Sequence, residues 1–223
     1  MTLGTVSTLS RAELLRATTK RRITAAARVA LSSGGMVTEH LIADVCEQVG
    51  VHHQAFRVFF PIDDELLDAV NDLLVDECAD RLRGGVARFS PTNGASSFVE
   101  ASIALAKSWP LDRGGMIIRA NRRLRALQGG DSGGRVVLAE RRFVGALADV
   151  LTEMMTTLER RFSWQPALAV RVILDTFERS FEAWILSGRG ESEFPTSPYV
   201  QRTLPTLLEE LSVPWSHVPA GRS

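Results

Sequence analysis

His52, His53, Gln54 and Arg57 lie within one six-residue stretch and bring together side chains built for planar hydrogen bonding. A glutamine amide can pair bidentately with adenine, and an arginine fork suits guanine or a phosphate. The two imidazoles add further hydrogen-bonding groups. These types at this spacing favour reading base edges over making or breaking bonds. His52 and His53 are adjacent, so they do not share a helix face and are a poor pair of metal ligands.

Such side chains need a short rigid element to carry them. Thr38 has the side-chain oxygen that caps a helix start. Leu41, Ile42, Val45 and Val49 recur at helical spacing and predict one apolar face after it. Gly50 stands where the chain must turn, because glycine takes positive φ without a Cβ penalty. A second helix opens at His52, sets Ala55, Phe56, Phe59 and Phe60 against His53, Gln54 and Arg57, and is closed by Pro61. Residues 38–60 therefore read as a helix-turn-helix. Asp63, Asp64 and Glu65 suit the positive end of the next helix, which carries Leu66, Leu67, Val70, Leu74, Cys78 and Leu82 along one side. Ahead of the unit, Ile23, Ala26, Ala27, Ala30 and Leu31 form a stripe stopped by Gly34-Gly35.

From Arg21 to Leu74 the sequence resembles the N-terminal domain of the TetR/AcrR family of transcriptional repressors. The resemblance is carried by Ile23, Ala27, Gly35, Asp44-Val45, Gly50-Val51, Phe56, Phe60-Pro61 and Glu65-Leu66-Leu67, and it spans about a quarter of the chain. It implies an all-α protein: a three-helix helix-turn-helix domain plus linking helix over residues 11–83, then a helical ligand-binding and dimerisation domain over 84–213. Residues from Pro214 to the end are expected to be a disordered tail. The implied partner is double-stranded DNA, met by Thr38, His52, His53, Gln54 and Arg57 and by the preceding basic residues Lys20, Arg21 and Arg22. The sequence also departs from the family pattern. Gln54 stands where a small residue or glycine is usual, Arg57 where a tyrosine is, and Val58 and Phe59 where polar or aromatic-polar residues are. Asp63 replaces a lysine. In the family that tyrosine and lysine tend to touch phosphates. Arg57 can replace the first contact, whereas Asp63 puts a carboxylate where a helix N-terminus could hold a phosphate. The spacing from Gly35 to Val45 is about one residue longer than usual.

Composition bounds the rest. The 223 residues carry zero formal net charge, 45% hydrophobic and 23% charged side chains, as expected of a globular protein of one or two domains. Charge is nonetheless uneven. Residues 11–30 hold Arg11, Arg16, Lys20, Arg21, Arg22 and Arg28 against Glu13, while residues 63–80 hold eight acids and no base. Such asymmetry can orient a protein on DNA, or can simply be solvated. Cys46 and Cys78 lie on apolar stripes and read as core thiols ahead of a redox pair. The opening MTLGTVSTLS lacks a basic start and an apolar run, and no stretch reaches membrane-spanning length, so a cytoplasmic protein without membrane contact is expected. No glycine-rich phosphate loop, metal-ligand spacing or nucleophile elbow is present, so neither an enzyme nor a bound cofactor or metal is expected.

Beyond residue 84 the pattern stays helical. Helices are expected at about 97–109, 116–127, 136–162, 166–187 and 198–212, with no strand-period segment. Phe98, Ile103, Trp109, Met116, Leu124, Phe143, Leu147, Met154, Phe177 and Trp184 are the bulky residues that could enclose a small apolar or amphipathic ligand, although each alone also suits a plain core. In TetR-like proteins the last two long helices pair with their copies in a homodimer. Here that implies an interface through Phe181, Ile185, Leu204, Leu207, Leu208 and Leu211, against the alternative that they fill the monomer core. Arg119, Arg122, Arg123 and Arg125 read first as a solvated face, second as a site for an acidic ligand or a phosphate. The functional expectation is a ligand-released repressor that binds a palindromic operator as a dimer. Its competitor is a dimeric ligand- or partner-binding module with a degenerate head.

Overall fold

The computed structural model describes residues 10–34, 36–92, 97–109, 112–128 and 133–215. Among them the chain forms helices α1 (Arg11–Ser32), α2 (Glu39–Val49), α3 (His53–Phe59), α4 (Asp63–Val86), α5 (Ser97–Ser108), α6 (Arg113–Leu127), α7 (Gly133–Thr157), α8 (Pro166–Leu186) and α9 (Leu204–Glu210). Local chemistry explains the ends. The Ser10 hydroxyl accepts from the Glu13 N–H while the Glu13 carboxylate accepts from the Ser10 N–H, a reciprocal cap on α1. Thr38 caps α2 through the Leu41 N–H. Gly50 closes α2 in the left-handed region, φ 70°, a conformation glycine adopts at least cost. Asp112 caps α6 by accepting from the Gly115 N–H, so Gly114 and Gly115 lie in the first turn of that helix. A Cβ on Gly114 would lie 2.5 Å from the Ser32 Cβ, so glycine lets the start of α6 press on the end of α1.

Two apolar cores result, and α4 serves both. Ile23, Leu31, Ile42, Val45, Phe56, Phe60, Leu66 and Val70 belong to the first, into which Ile118 of α6 also inserts. Val75, Cys78, Leu82 and Val86, from the second half of α4, join α5, α7, α8 and α9 in the other. Cys46 and Cys78 are free, buried and in different cores. Burial pushes the Cys78 thiol up to about 12, so neither proximity nor acidity supports a redox pair.

The C-terminal third differs from the helical expectation. The helix expected to reach Phe162 ends at Thr157, and Glu159 turns the chain at φ 56°. Arg160–Phe162 then forms β1, antiparallel to β2 (Ser212–Pro214), with Arg160 opposite Pro214. The Arg160 guanidinium fastens this ribbon by donating to the Ser212 hydroxyl and carbonyl, each at 2.8 Å. Pro214 is thus paired in a strand; residues 216–223 of the expected tail lie outside the described residues. The helix expected over 198–212 is instead a π turn (Tyr199–Thr203) leading into α9, preceded by a 3-10 turn (Glu191–Thr196). No helix among the described residues is long and apolar enough to cross a membrane.

Candidate nucleic-acid interface

α3 rests on the first core through Phe56, its one fully buried side chain, and Phe60 follows at its end. That anchoring leaves His52, His53, Gln54 and Val58 exposed and Arg57 half-buried. Thr38 is exposed at the head of α2, its hydroxyl already engaged in the cap. The structure therefore brings His52, His53, Gln54 and Arg57 to one short helix and its cap. It does not leave Arg57 free. One arm of its guanidinium donates to Glu39 Oε1 at 2.6 Å and another to Asp63 Oδ1 at 3.1 Å. His53 Nε2 lies 3.0 Å from the other oxygen of Glu39. Its hydrogen bond to Asp63, and then that to Glu39, raises the Arg57 pKa above its ordinary value. The His53 hydrogen bond, assisted by Arg57, holds the Glu39 carboxyl below its own.

The other basic residues divide. Arg22 Nη2 donates to the Val49 carbonyl at 2.9 Å, tying α1 to the end of α2, so it has a structural task. The Lys20 ammonium lies 5.3 Å from the Phe60 ring centre, and the Arg16 guanidinium 5.9 Å from that of Phe59. Arg21 is exposed. Sequence reasoning missed Glu39. It is the first residue of α2 and Asp63 the first of α4, and α3 lies between those two helix starts. Among the described residues no group of three or more His, Cys, Asp or Glu could hold a metal ion.

The α6 arginines are neither a solvated face nor a ligand cradle. The Arg122 side chain is 3% exposed and pairs with Asp68 of α4. Arg125 reaches Asp64 of α4 at 2.8 Å. Arg119 and Arg123 turn the other way, to Glu140 of α7 (3.4 and 3.2 Å) and to Glu178 of α8. Burial alone would raise the Glu140 carboxyl, but Arg119 and Arg123 bring it below its ordinary value. α6 is thus an ion-paired strut between the helix that begins behind α3 and the helices of the second core.

No family model matches the sequence, and no curated protein matches it. Solved structures do. A protein described as a TetR-family transcriptional regulator from Mesorhizobium loti MAFF303099 superposes with a TM-score of 0.57 at 14% identity, over 91% of this chain and 97% of that one. The multidrug binding protein EbrR, complexed with imidazole, gives 0.58 at 17% identity, over 92% and 98%. The chain has the TetR-regulator fold.

Within that fold the residues expected to line a pocket are mostly core. Phe143, Leu147, Met154, Phe177, Trp109 and Trp184 are buried, Phe98, Ile103 and Met116 pack against them, and Leu124 is exposed. Only Trp109 and Phe177 of this set line a cavity of 320 Å³ between α4, α5, the Glu191–Thr196 turn and α8. Met116 and Leu124 face a separate outer groove beside Arg119 and Arg123. The expected dimer residues are also drawn inward. Phe181, Leu204, Leu208 and Leu211 are buried within the single chain, and Ile185 and Leu207 pack against the same core. The reason is the segment 191–203, which folds back over α8: Phe194 meets Phe181 edge-on with ring centres 5.1 Å apart and Phe177 at 5.3 Å. Those four side chains are spent on the core of the chain itself. The outer face of α8 offers Leu168, Arg171, Asp175, Arg179, Glu182 and Leu186 instead.

Proposed function

We propose that this chain is a DNA-binding transcriptional regulator acting as a homodimer, with residues 11–83 as the reading head and 84–213 as the effector and dimerisation part. The observation that carries the reading is the short helix α3, seated by Phe56 behind the Gly50 turn with His52, His53 and Gln54 exposed on it. A helix so held can enter a major groove, with Gln54 reading adenine and Thr38 and Arg21 meeting phosphates. Two heads related by a two-fold axis call for a roughly palindromic site with half-sites about 34 Å apart. A small molecule bound in the second core favours one setting of α6, and the Arg122–Asp68 and Arg125–Asp64 pairs carry that setting to α4 and the head. Release of the operator on ligand binding makes the protein a repressor.

The test is fluorescence-anisotropy titration of the purified chain against DNA from the region upstream of its own gene, repeated across salt concentrations. Sequence-dependent binding with a steep salt slope supports the reading. Binding no better than to random DNA, followed by failure of a random-sequence selection, refutes it. One observation favours a second reading, a ligand- or partner-binding module whose head no longer binds DNA: Arg57 is held between Glu39 and Asp63.

A further inference from the structure

The inner face of α8 is spent on the second core, but its outer face is exposed. Leu168, Asp175 and Glu182 stand seven positions apart on it, as do Arg179 and Leu186, so these five share one stripe along the helix, with Arg171 at its edge. Leu186, 80% exposed, and Leu127 of the neighbouring α6, 85% exposed, are the two most exposed large apolar side chains among the described residues. Leu124 and Leu127 extend the patch across the groove between α6 and α8, which Asp175, Glu178, Arg179 and Glu182 line from the α8 side. Leucines gathered in this way along one side of a molecule mark a surface that gains by being covered.

The stripe is also symmetric about the level of Phe177. Leu168 and Leu186 lie nine positions to either side of it, Asp175 and Arg179 two, and Arg171 and Glu182 six and five. Laid antiparallel across a copy of itself at that level, α8 sets leucine against leucine and acid against base. Laid parallel, it sets Asp175 against the partner's Asp175 and Arg179 against the partner's Arg179, like charge on like. Within one chain these charges are only loosely held. Arg171 lies 3.7 Å from Asp175 and Arg179 3.4 Å from Glu182, exposed pairs that contribute little.

We propose that the occupant of this face is a second copy of the chain, joined by antiparallel contact of the two α8 helices about a two-fold axis at the level of Phe177. A two-fold axis makes every such contact twice. Leu168 meets the partner's Leu186, Asp175 the partner's Arg179, and Arg171 the partner's Glu182. The leucines, with Leu124 and Leu127 at the flank, supply apolar area, and the charges choose the direction. The proposal rests on the homodimer reading and gives it a face that needs none of the buried leucines of α9.

Sedimentation equilibrium of the full chain and of variants at exposed positions tests it. Asp175→Arg sets like charge against the partner's Arg179, and Arg179→Asp does so against the partner's Asp175. Each change spoils two symmetry-related contacts at about tenfold apiece, so each variant alone is expected to dimerise about 100-fold more weakly. Mixed in equal amounts, the two variants complement each other at both contacts and should form a heterodimer of nearly wild-type affinity. The double variant Asp175→Arg, Arg179→Asp should dimerise as well by itself. A variant that merely folds badly is not mended by mixing. Single variants as dimeric as the wild type, or variants that stay monomeric when mixed, overturn the proposal and leave the homodimer reading standing. A wild-type chain that sediments as a monomer at every concentration overturns both.

Discussion

Glu39→Gln should strengthen DNA binding and steepen its dependence on salt. In the wild-type protein Arg57 is clasped by Glu39 at 2.6 Å and Asp63 at 3.1 Å, so its charge is matched before any phosphate arrives. Glu39 is largely exposed, and its removal leaves the α2 cap at Thr38 in place. The Gln variant keeps the shape and His53 neighbour but frees one guanidinium arm for a phosphate. Each phosphate neutralised contributes about 0.9 to the slope of log affinity against log salt, so a fourfold fall in salt should favour the variant by about 3.5-fold more than the wild type. The double variant Glu39→Gln, Asp63→Lys frees Arg57 and adds a cation at the start of α4. Two phosphates steepen the slope by about 1.8, a total gain over the wild type of about 12-fold over the same fourfold range. The assay is anisotropy on operator and random duplexes between about 50 and 200 mM salt, with thermal melting to establish that both variants fold. Unchanged affinity and slope in the folded double variant would refute the idea that the acidic clasp restrains the head. Gain on random DNA alone would assign the clasp to suppressing non-specific binding.

Three further outcomes follow from the packing. Asp68→Leu should cost about 3–5 kcal/mol in urea denaturation because it strands the buried Arg122 guanidinium, and adding Arg122→Leu should recover most of that loss; a loss no larger than that of an exposed pair would contradict the burial. Glu140 has a folded pKa lowered from 4.5, so its pairing stabilises fully above that value and the benefit disappears as pH falls through the depressed one; the stability gap between wild type and Glu140→Gln should be constant near neutrality and close in acid, as read by pH-dependent denaturation. Gly50→Val should cost about 1–2 kcal/mol from the left-handed backbone at φ 70°, Gly50→Asn markedly less, and equal melting temperatures for the two would show that the turn relaxes.

The head was legible because its signals are local. Thr38, the apolar spacing of α2, Gly50 and Pro61 each act within a turn or two of themselves, and the structure has α2 and α3 within a residue or so of where that spacing puts them. The clasp was not, because Glu39 and Arg57 are 18 positions apart and meet only after two helices pack. The α6 arginines misled for the same reason: charged side chains read as solvated, while their partners Asp68 and Asp64 are 54 and 61 positions away. A stripe such as Phe177, Phe181 and Trp184 records that a face is covered and says nothing of what covers it. Here the segment 191–203 of the same chain does so. The ribbon of β1 and β2 was invisible because three residues are too short to show a period of two.

The acidic run on α4 has a use that a simple charge asymmetry does not suggest. Seven of its eight acids are paired: Asp63 with Arg57, Asp64 with Arg125, Asp68 with Arg122 and Arg135, Asp72 and Asp76 with Arg142, Glu77 with Arg28, Asp80 with Arg83. α4 is therefore a rail onto which α1, α3, α6 and α7 dock, rather than a free field steering DNA. Most of these pairs are exposed and worth little singly. The buried Arg122–Asp68 pair is different, since breaking it costs about 3–5 kcal/mol, more than the 1–3 kcal/mol or so that couples two sites in a typical allosteric protein. A ligand could not profitably slide α6 along α4; the lower-cost response is for the two helices to turn together. Spin labels on the exposed faces of α4 and α6 should then keep their separation on saturation with a ligand of the second core, while labels on the two heads of a dimer change theirs. A changed α4–α6 distance would show the pair breaking and the rail giving way.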